Sequence, residues 1–185
     1  AVYGNPTQLP IHEMSQLQPL SPYGIHKLQA EQIVREFSDF YKIPTCSLRI
    51  FSAYGNGLRK QLFWDMYQKF LNADAITLYG TGKESRDFIH VDDIVRAFHL
   101  VLENGSFNGE ATNIANGEEF TIEYVSELFR SHFEGQKTIT FNNQVKQGDP
   151  LNWRADISLL NSLGYQQTIS LEAGIQSYIH WVNSL

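Results

Sequence analysis

Two side chains four residues apart could transfer a proton. Tyr23 and Lys27 lie in the segment SPYGIHK (21–27), which carries a helix-start signal: a serine at the cap and a proline at the first helical position. Residues four apart share one helix face, so the phenol and the ammonium can face the same pocket. The ammonium would stabilise the phenolate, which suits Tyr23 to exchange a proton with a sugar hydroxyl or a ketone. Lys27 could also hydrogen-bond a ribose. The spacing occurs on many helices, so by itself it does not establish a site.

A glycine-bearing turn followed by an arginine could bind phosphate. The turn GTG (80–82) precedes Arg86, whose planar guanidinium matches the oxygens of a diphosphate. The alternative is a surface ion pair of Arg86 with Glu84 or Asp87. His90 is predicted to be a packed strand residue, because no histidine or cysteine partner stands at metal-ligand spacing. The sequence therefore predicts no metal site.

The elements around these residues alternate between helices and strands. Apolar periodicity and cap signals predict helices at about 22–41, 61–71, 94–102, 121–133, 157–163 and 171–182, and strands at 46–51, 76–79, 111–115 and 138–141. Residues 1–6 resemble the end of a strand entering a turn, 52–57 a loop, and Asp92–Asp93 a helix cap. Strands joined to helices by short loops indicate parallel βαβ construction.

Composition excludes several classes of protein. The 185 residues suit one domain with a little left over, and the formal charge of −6 disfavours a protein that binds nucleic acid by neutralising phosphates. No apolar run approaches the roughly 18 residues of a membrane helix. The single cysteine, Cys46, cannot form an intramolecular disulfide and is predicted to be a small buried residue. These features predict a soluble, cytoplasmic α/β protein.

The ordered set of motifs resembles the extended short-chain dehydrogenase/reductase family, specifically its nucleotide-sugar epimerases and dehydratases. The matching segments are AVYG (1–4), SPYGIHK (21–27), LRIF (48–51), GTG (80–82), RDFIHVDD (86–93), GD (148–149) and AD (155–156). The resemblance implies the C-terminal part of a Rossmann-like parallel sheet plus a small α/β substrate-binding lobe. Residues 1–55 and 83–118 would be the remnant of the NAD(P)-binding domain, and 56–82 and 119–185 the lobe.

The resemblance also implies roles for individual residues. Tyr23 would be the catalytic acid/base, and Lys27 would tune it and hold the nicotinamide ribose. Nucleotide-sugar contacts are implied for Ser52, Gln61, Thr77, Tyr79, Arg86, Lys146 and Asp149. Of these, Thr77 and Tyr79 would lie along the base, Arg86 would meet the diphosphate, Asp149 would bind a ribose, and Gln61 is placed on the loop before a helix. Two positions depart from relatives resembling UDP-galactose epimerase: Ser52 replaces an asparagine, and Lys146 replaces an arginine, which loses bidentate geometry.

Two family features have no counterpart in the chain. The glycine-rich turn that grips the dinucleotide pyrophosphate is missing, and the catalytic Ser or Thr would fall two places before Ala1. We therefore expect a fragment of an enzyme that uses NAD or NADP. The fragment alone is expected to be inactive, with an unpaired edge on the strand 46–51.

The residue at Ala1 bears on the type of reaction. The 4,6-dehydratases of the family carry a catalytic Glu directly before Val-Tyr-Gly, where this chain has Ala1. Without that carboxylate an elimination lacks its base, which favours a UDP-glucose 4-epimerase-like enzyme of nucleotide-sugar or polysaccharide biosynthesis. The alternatives are a nucleotide-sugar 4-ketoreductase and a non-catalytic nucleotide-sugar-binding module. The resemblance further implies a homodimer.

Overall fold

In a computed structural model, helices and strands alternate along the described residues, 1–144 and 148–185. The helices are α1 (Pro22–Tyr41), α2 (Gln61–Asn72), α3 (Val91–Asn104), α4 (Ile122–Arg130), α5 (Ser158–Ser162) and α6 (Leu171–Asn183). The strands are β1 (Thr45–Ile50), β2 (Ser52–Tyr54), β3 (Ala75–Leu78), β4 (Ser85–Arg86), β5 (Phe88–His90), β6 (Asn108–Ile114), β7 (Phe120–Thr121) and β8 (Thr138–Phe141). The predicted helices and strands are all present, with shifted ends.

Helix α1 packs on a parallel strand pair. β1 and β6 align from Ser47 opposite Ala111 to Ile50 opposite Ile114. The helix begins at the predicted cap, where the hydroxyl of Ser21 accepts a hydrogen bond from the next turn. Within the part of the chain that the structure describes, β1 pairs with β6 alone, so its other edge is open.

The remaining strands also pair across long stretches of sequence. β2 is parallel to β5 and β3 is parallel to β8, whereas β4 and β7 form an antiparallel pair. The prediction of a loop at 52–57 was wrong for its first three residues, which form β2. Such short strands carry little local signal, because their hydrogen bonds come from residues far away in the sequence.

The opening residues were predicted wrongly as the end of a strand. The stretch 1–6 forms a turn without a strand, and Val2 and Tyr3 are buried. Tyr3 donates a hydrogen bond from its hydroxyl to Asn113 Oδ1 at 2.6 Å, and Trp153 donates from Nε1 to the carbonyl of Gly4 at 2.9 Å. Tertiary side-chain contacts, rather than a sheet ladder, therefore hold this segment.

The cap of α3 also differs from the prediction. The helix begins at Val91, and the cap is His90, whose Nδ1 accepts the amide of Asp92 at 3.3 Å. Asp93 instead lies fully buried and accepts hydrogen bonds from the amides of Thr168 and Ile169 at 3.2 and 3.1 Å. It therefore ties the loop before α6 to α3.

A large aromatic core lies among α2, α4 and α6. We call aromatic core the buried set Tyr54, Phe63, Met66, Tyr67, Phe70, Phe88, Val125, Phe129, Ile175, Tyr178 and Val182 with their packed neighbours. Two smaller clusters lie around Phe51 with Trp153, and around Ile89 with Ile114. Within the described ranges, none of the helices has the length and apolar character needed to cross a membrane.

Candidate active site

Helix α1 presents Tyr23 and Lys27 to a groove between itself and β1. The groove has a volume of about 290 Å³, and both residues line it together with Glu31, Arg49 and Val2. Lys27 Nζ lies 5.6 Å from the centroid of the Tyr23 ring, within the range of a cation–π contact. Tyr23 is 63% exposed. The structure thus brings the predicted pair together, with the phenol accessible.

A close backbone approach fixes the first turn of α1 at one end of the groove. Gly24 is the one fully buried residue of the helix. A Cβ at this position would lie 2.8 Å from the carbonyl oxygen of Ala1 and 2.9 Å from the Cβ of Pro19. A glycine is therefore needed for the turn that carries Tyr23 to pack against the opening residues.

A polar network lies beneath the pair. Arg49 Nε donates to Glu31 Oε2 at 3.0 Å, and Nη2 donates to the other oxygen of the same carboxylate. Its Nη1 donates to the Tyr3 hydroxyl and to the Glu13 carbonyl, both at 2.7 Å. Burial raises the pKa of Tyr3 to about 12, so the phenol stays protonated and donates to Asn113. The network joins α1, β1, β6 and the opening residues.

Sequence reasoning missed this network. The one available signal was Arg49, a charged residue inside an otherwise apolar strand, since a buried cation requires a partner. Its partner Glu31 lies 18 residues away, and nothing in the local pattern identifies it.

Backbone carbonyls hold the guanidinium of Arg86, one of them in the loop that follows residue 147. Its Nη1 donates to the carbonyls of Ser85 at 2.8 Å and Leu151 at 3.1 Å. Among residues 1–144 and 148–185, no carboxylate oxygen lies within 4.0 Å of the guanidinium, so the ion pair with Glu84 or Asp87 does not form there. Burial lowers the pKa of Arg86, and the nearby carboxylates oppose that shift. Among the described residues, its Nε and Nη2 have no hydrogen-bond partner and could donate to an anion.

The loop that carries Asp149 passes close to the start of α1. Gly148, at φ +88°, packs so closely that a Cβ there would lie 3.3 Å from the Cβ of Ser21, the cap of α1. Asp149 is exposed, and its charge, with that of Glu84, opposes the lowering of the pKa of Arg86. The loop that carries Asp149 thus passes next to the N-terminal end of the helix that bears Tyr23.

Thr77 and Tyr79 lie at the end of β3. Thr77 is exposed, and its hydroxyl lies 3.0 Å from that of Thr140 on β8. Tyr79 is 65% exposed directly after the strand. Among the described residues, no contact connects either side chain to Arg86. The amide of Gly80, two residues after β3, donates to the carbonyl of Gln144 at 2.9 Å. Lys146 lies outside the described residues.

Ser52 and Gln61 differ from their predicted settings. Ser52 is half-buried in β2, and its amide donates to the carbonyl of Asp87 at 3.0 Å. Gln61 was placed on a loop, but it is the first residue of α2, exposed and at φ +67°. Such a conformation is unfavourable for a residue with a Cβ and is concentrated at functional sites. The sequence pattern gives no indication of this dihedral angle.

The carboxylate of nearby Glu84 occupies the GTG turn at 80–82. The carboxylate of Glu84 accepts the amide of Thr81 at 3.0 and 3.1 Å, and a Cβ at Gly80 would lie 2.8 Å from Glu84 Oε2. Burial would raise the pKa of Glu84, but the donors of the turn outweigh it and lower the pKa. The amide that this turn would offer to a phosphate is therefore taken by Glu84. Within the described ranges, no cluster of three His, Cys, Asp or Glu side chains could hold a metal.

Comparisons with known proteins define the family. The profile of the NAD dependent epimerase/dehydratase family matches residues 1–115. The chain is 32% identical over 187 residues to the uncharacterized UDP-glucose epimerase YtcB of Bacillus subtilis, covering 100% of this chain and 58% of that protein. It is 28% identical to a putative UDP-glucose 4-epimerase of Methanocaldococcus jannaschii, covering 100% and 60%.

A solved structure supports the same family. The UDP-glucuronic acid 4-epimerase of Bacillus cereus, in complex with UDP-glucuronic acid and NAD, superposes with a TM-score of 0.87 at 29% identity, over 99% of this chain and 59% of that one. The chain therefore belongs to the NAD dependent epimerase/dehydratase family, and the predicted family and Rossmann-like α/β fold are confirmed. It spans about 60% of the length of these relatives.

Proposed function

We propose that the chain is the C-terminal part of an NAD(P)-dependent nucleotide-sugar epimerase of nucleotide-sugar or polysaccharide biosynthesis in which Tyr23 transfers a proton. One observation carries the proposal: Tyr23 and Lys27 share a groove, with the ammonium 5.6 Å from the ring of an exposed phenol. A nearby cation stabilises the phenolate, which can accept a proton from a sugar hydroxyl and return it.

The groove residues fit the nicotinamide end of a dinucleotide and not its pyrophosphate. Lys27 offers three donors that suit ribose hydroxyls, whereas the carboxylate of Glu84 occupies the GTG turn at 80–82. When bound, NAD would supply the hydride acceptor at the sugar carbon. Tyr23 would hold or release the proton of the hydroxyl on that carbon, and Lys27 would keep the phenol in its reactive form.

Arg86 and Asp149 would bind the nucleotide diphosphate. Two backbone carbonyls accept from Nη1 of the guanidinium, and its other N–H groups have no partner among the described residues, so they could donate to phosphate oxygens. Asp149 is exposed and can accept ribose hydroxyls. Thr77 and Tyr79, exposed at the end of β3, would flank the base. Ser52, Gln61 and Lys146 complete the proposed set of contacts.

Epimerisation is favoured over dehydration because of Ala1. A methyl group stands where the dehydratases carry a catalytic carboxylate, so the elimination of water would lack its base. Family membership alone does not separate the reactions, since a dTDP-D-glucose 4,6-dehydratase of Dictyostelium discoideum is 36% identical over 115 residues. The inactivity of the isolated chain, the homodimer and the cytoplasmic location stay predictions.

Calorimetric titration of the purified chain with UDP, UDP-glucose and NAD tests the proposal. We expect UDP and UDP-glucose to bind, NAD to bind weakly, and no epimerised sugar to form. Arg86→Met should weaken UDP binding at least tenfold, because a charge-assisted contact to the diphosphate is lost. Arg35→Met, an exposed arginine of α1, is the matched control and should leave binding unchanged. Equal affinity in both variants would refute the role of Arg86.

Measurements of turnover distinguish an epimerase, a ketoreductase and a binding module. Binding of UDP-glucose without turnover is expected both of an incomplete active site and of a non-catalytic binding module. Activity of a longer chain that includes these residues, lost in Tyr23→Phe, separates the two. Stoichiometric consumption of NADPH by that longer chain would identify a ketoreductase instead.

A further inference from the structure

Lys27 and Glu31 carry opposite charges but do not form an ion pair. Glu31 lies one helical turn after Lys27 on the same face of α1, and both side chains line the groove. Oppositely charged residues at this spacing ordinarily attract one another. Yet among the described residues Lys27 has no carboxylate oxygen within 4.0 Å. Something in the structure keeps the pair apart.

Arg49 occupies the carboxylate completely. Its Nε and Nη2 hold both oxygens of Glu31, and the two side chains are only 10% and 16% exposed. A bidentate guanidinium contact in a partly dehydrated setting is stronger than a single contact from a mobile ammonium. The Tyr3 hydroxyl and the Glu13 carbonyl, which both accept from Nη1, fix the direction in which the guanidinium points.

We propose that Arg49 is a positioning residue of the candidate site: it binds both oxygens of Glu31, keeps that carboxylate away from Lys27, and so leaves the ammonium available to Tyr23. This inference rests on the function proposed above. Without Arg49, Glu31 would be a half-buried carboxylate with Lys27 one turn before it. The ammonium would then turn away from the phenol.

Other charges near Glu31 must be considered. Arg35 lies one turn after Glu31, but it contacts Asp39 at 3.7 Å and is 70% exposed. Glu13 is 8% exposed at its side chain, and its Oε1 accepts the amide of Asn113 at 2.9 Å. Of these groups, Arg35 is the one competitor of Lys27 for a released carboxylate.

Trace acetylation of the folded chain with acetic anhydride, read by mass spectrometry, measures the free amine of Lys27. An ion pair with Glu31 keeps the amine protonated, so Arg49→Met should slow the labelling of Lys27 about twofold relative to exposed Lys60. The double variant Arg49→Met/Glu31→Gln should restore the wild-type rate. O-acetylation of Tyr23, read from the same digest, should fall in Arg49→Met and recover in the double variant.

Several outcomes would overturn the inference. An unchanged Lys27 rate in folded Arg49→Met means that Arg35 or solvent takes the carboxylate, and slowing that persists in the double variant means that Glu31 is not the cause. If Arg49→Met loses its circular-dichroism signal, Arg49→Lys carries the test. One ammonium can hold the carboxylate less completely, so intermediate slowing is expected, and the wild-type rate would refute the inference.

The labelling needs neither cofactor nor substrate, so it fails separately from the proposed function. Slower labelling of Lys27 with unchanged labelling of Tyr23 would support the hold of Arg49 on Glu31. It would at the same time contradict the proposed action of Lys27 on Tyr23.

Discussion

The aromatic core and helix α1 bury their apolar residues to very different extents. Phe63 and Phe129 are 4% and 0% exposed, whereas Phe37 and Phe40 on α1 are 43% and 79% exposed. In the core, aromatic rings contact one another from three helices, with Phe63 and Phe129 stacked at 5.6 Å. On α1, the ion pair of Glu31 with Arg49 links the helix to β1.

This difference separates the source of stability from the place of chemistry. Packed rings contribute most where water is fully excluded, so the aromatic core should dominate the free energy of unfolding. The groove residues Tyr23 and Lys27 stay exposed and so remain accessible to a ligand. The comparison can be tested by making equivalent changes in both regions.

The largest contrast should come from removing one ring in each region. Phe129→Ala should lower the free energy of unfolding by about 3–5 kcal/mol, because a fully buried ring leaves a cavity. Phe40→Ala, its exposed counterpart on α1, should change it by less than about 0.5 kcal/mol. Urea denaturation monitored by circular dichroism measures both. Similar costs at the two positions would refute the division.

A buried carboxylate should give the next largest effect. Asp93→Asn should lower the free energy of unfolding by about 2–3 kcal/mol, since the amide cannot accept from Thr168 and Ile169 and also pair with Arg96. The adjacent Asp92→Asn, whose side chain is 63% exposed, serves as the control and should cost less than about 1 kcal/mol. Equal losses would mean that the helix terminus, not the buried contact, matters.

Asp87 should make stability depend on pH in the opposite sense to an ordinary paired carboxylate. Burial raises its pKa to about 7, although the amides of Asn116, Gly117 and Ala155 donate to it at 3.0 Å and oppose that shift. Between about pH 4 and 7 the folded state then binds the extra proton. Its contribution to the free energy of unfolding therefore falls as pH rises, by at most about 1.4 kcal/mol per pH unit.

The contribution of Asp87 is isolated by a difference measurement. Denaturation of the wild type and Asp87→Asn at several pH values should show the stability of the wild type, relative to the variant, decreasing from pH 4.5 to 7. Asp65→Asn, at an exposed ion pair on α2, should show no such trend. A relative stability that increases with pH would mean that the three amide donors outweigh burial.

The sequence predicted the helices better than the short strands and the buried polar contacts. The cap at Ser21 and the apolar spacing of α1 are local signals, and both were confirmed. β2 and the buried role of Asp93 depend on partners at β5 and Thr168, so a local window could not show them.

The candidate site divides in the same way. Helical spacing predicts that Tyr23 and Lys27 share one face of α1, and the structure places them together; their proposed roles come from the resemblance to the family. The closeness of Gly148 to Ser21, and the hold of Arg49 on Glu31, depend on how distant segments pack. The types and order of the candidate-site residues in the sequence resemble a family, whereas the distances between their side chains are set by the tertiary fold.

The smallest effect should come from the caps of two helices. Ser21 accepts the amide of Gly24 on α1, and Ser170 accepts that of Ala173 on α6, both at 3.2 Å. Ser21→Ala and Ser170→Ala should each cost about 1 kcal/mol, since each leaves one helix donor without a partner. The way in which the loss appears should differ, because α6 contributes buried residues to the aromatic core and α1 does not.

Amide hydrogen exchange can distinguish the two caps. Ser170→Ala should speed exchange throughout the aromatic core, because α6 opens only when the core opens. Ser21→Ala should speed exchange mainly in the first turns of α1, around Tyr23, where the helix can fray locally. If Ser21→Ala instead speeds exchange across the core, α1 and the core unfold as one unit. The groove would then be as rigid as the aromatic core, despite the exposure of its residues.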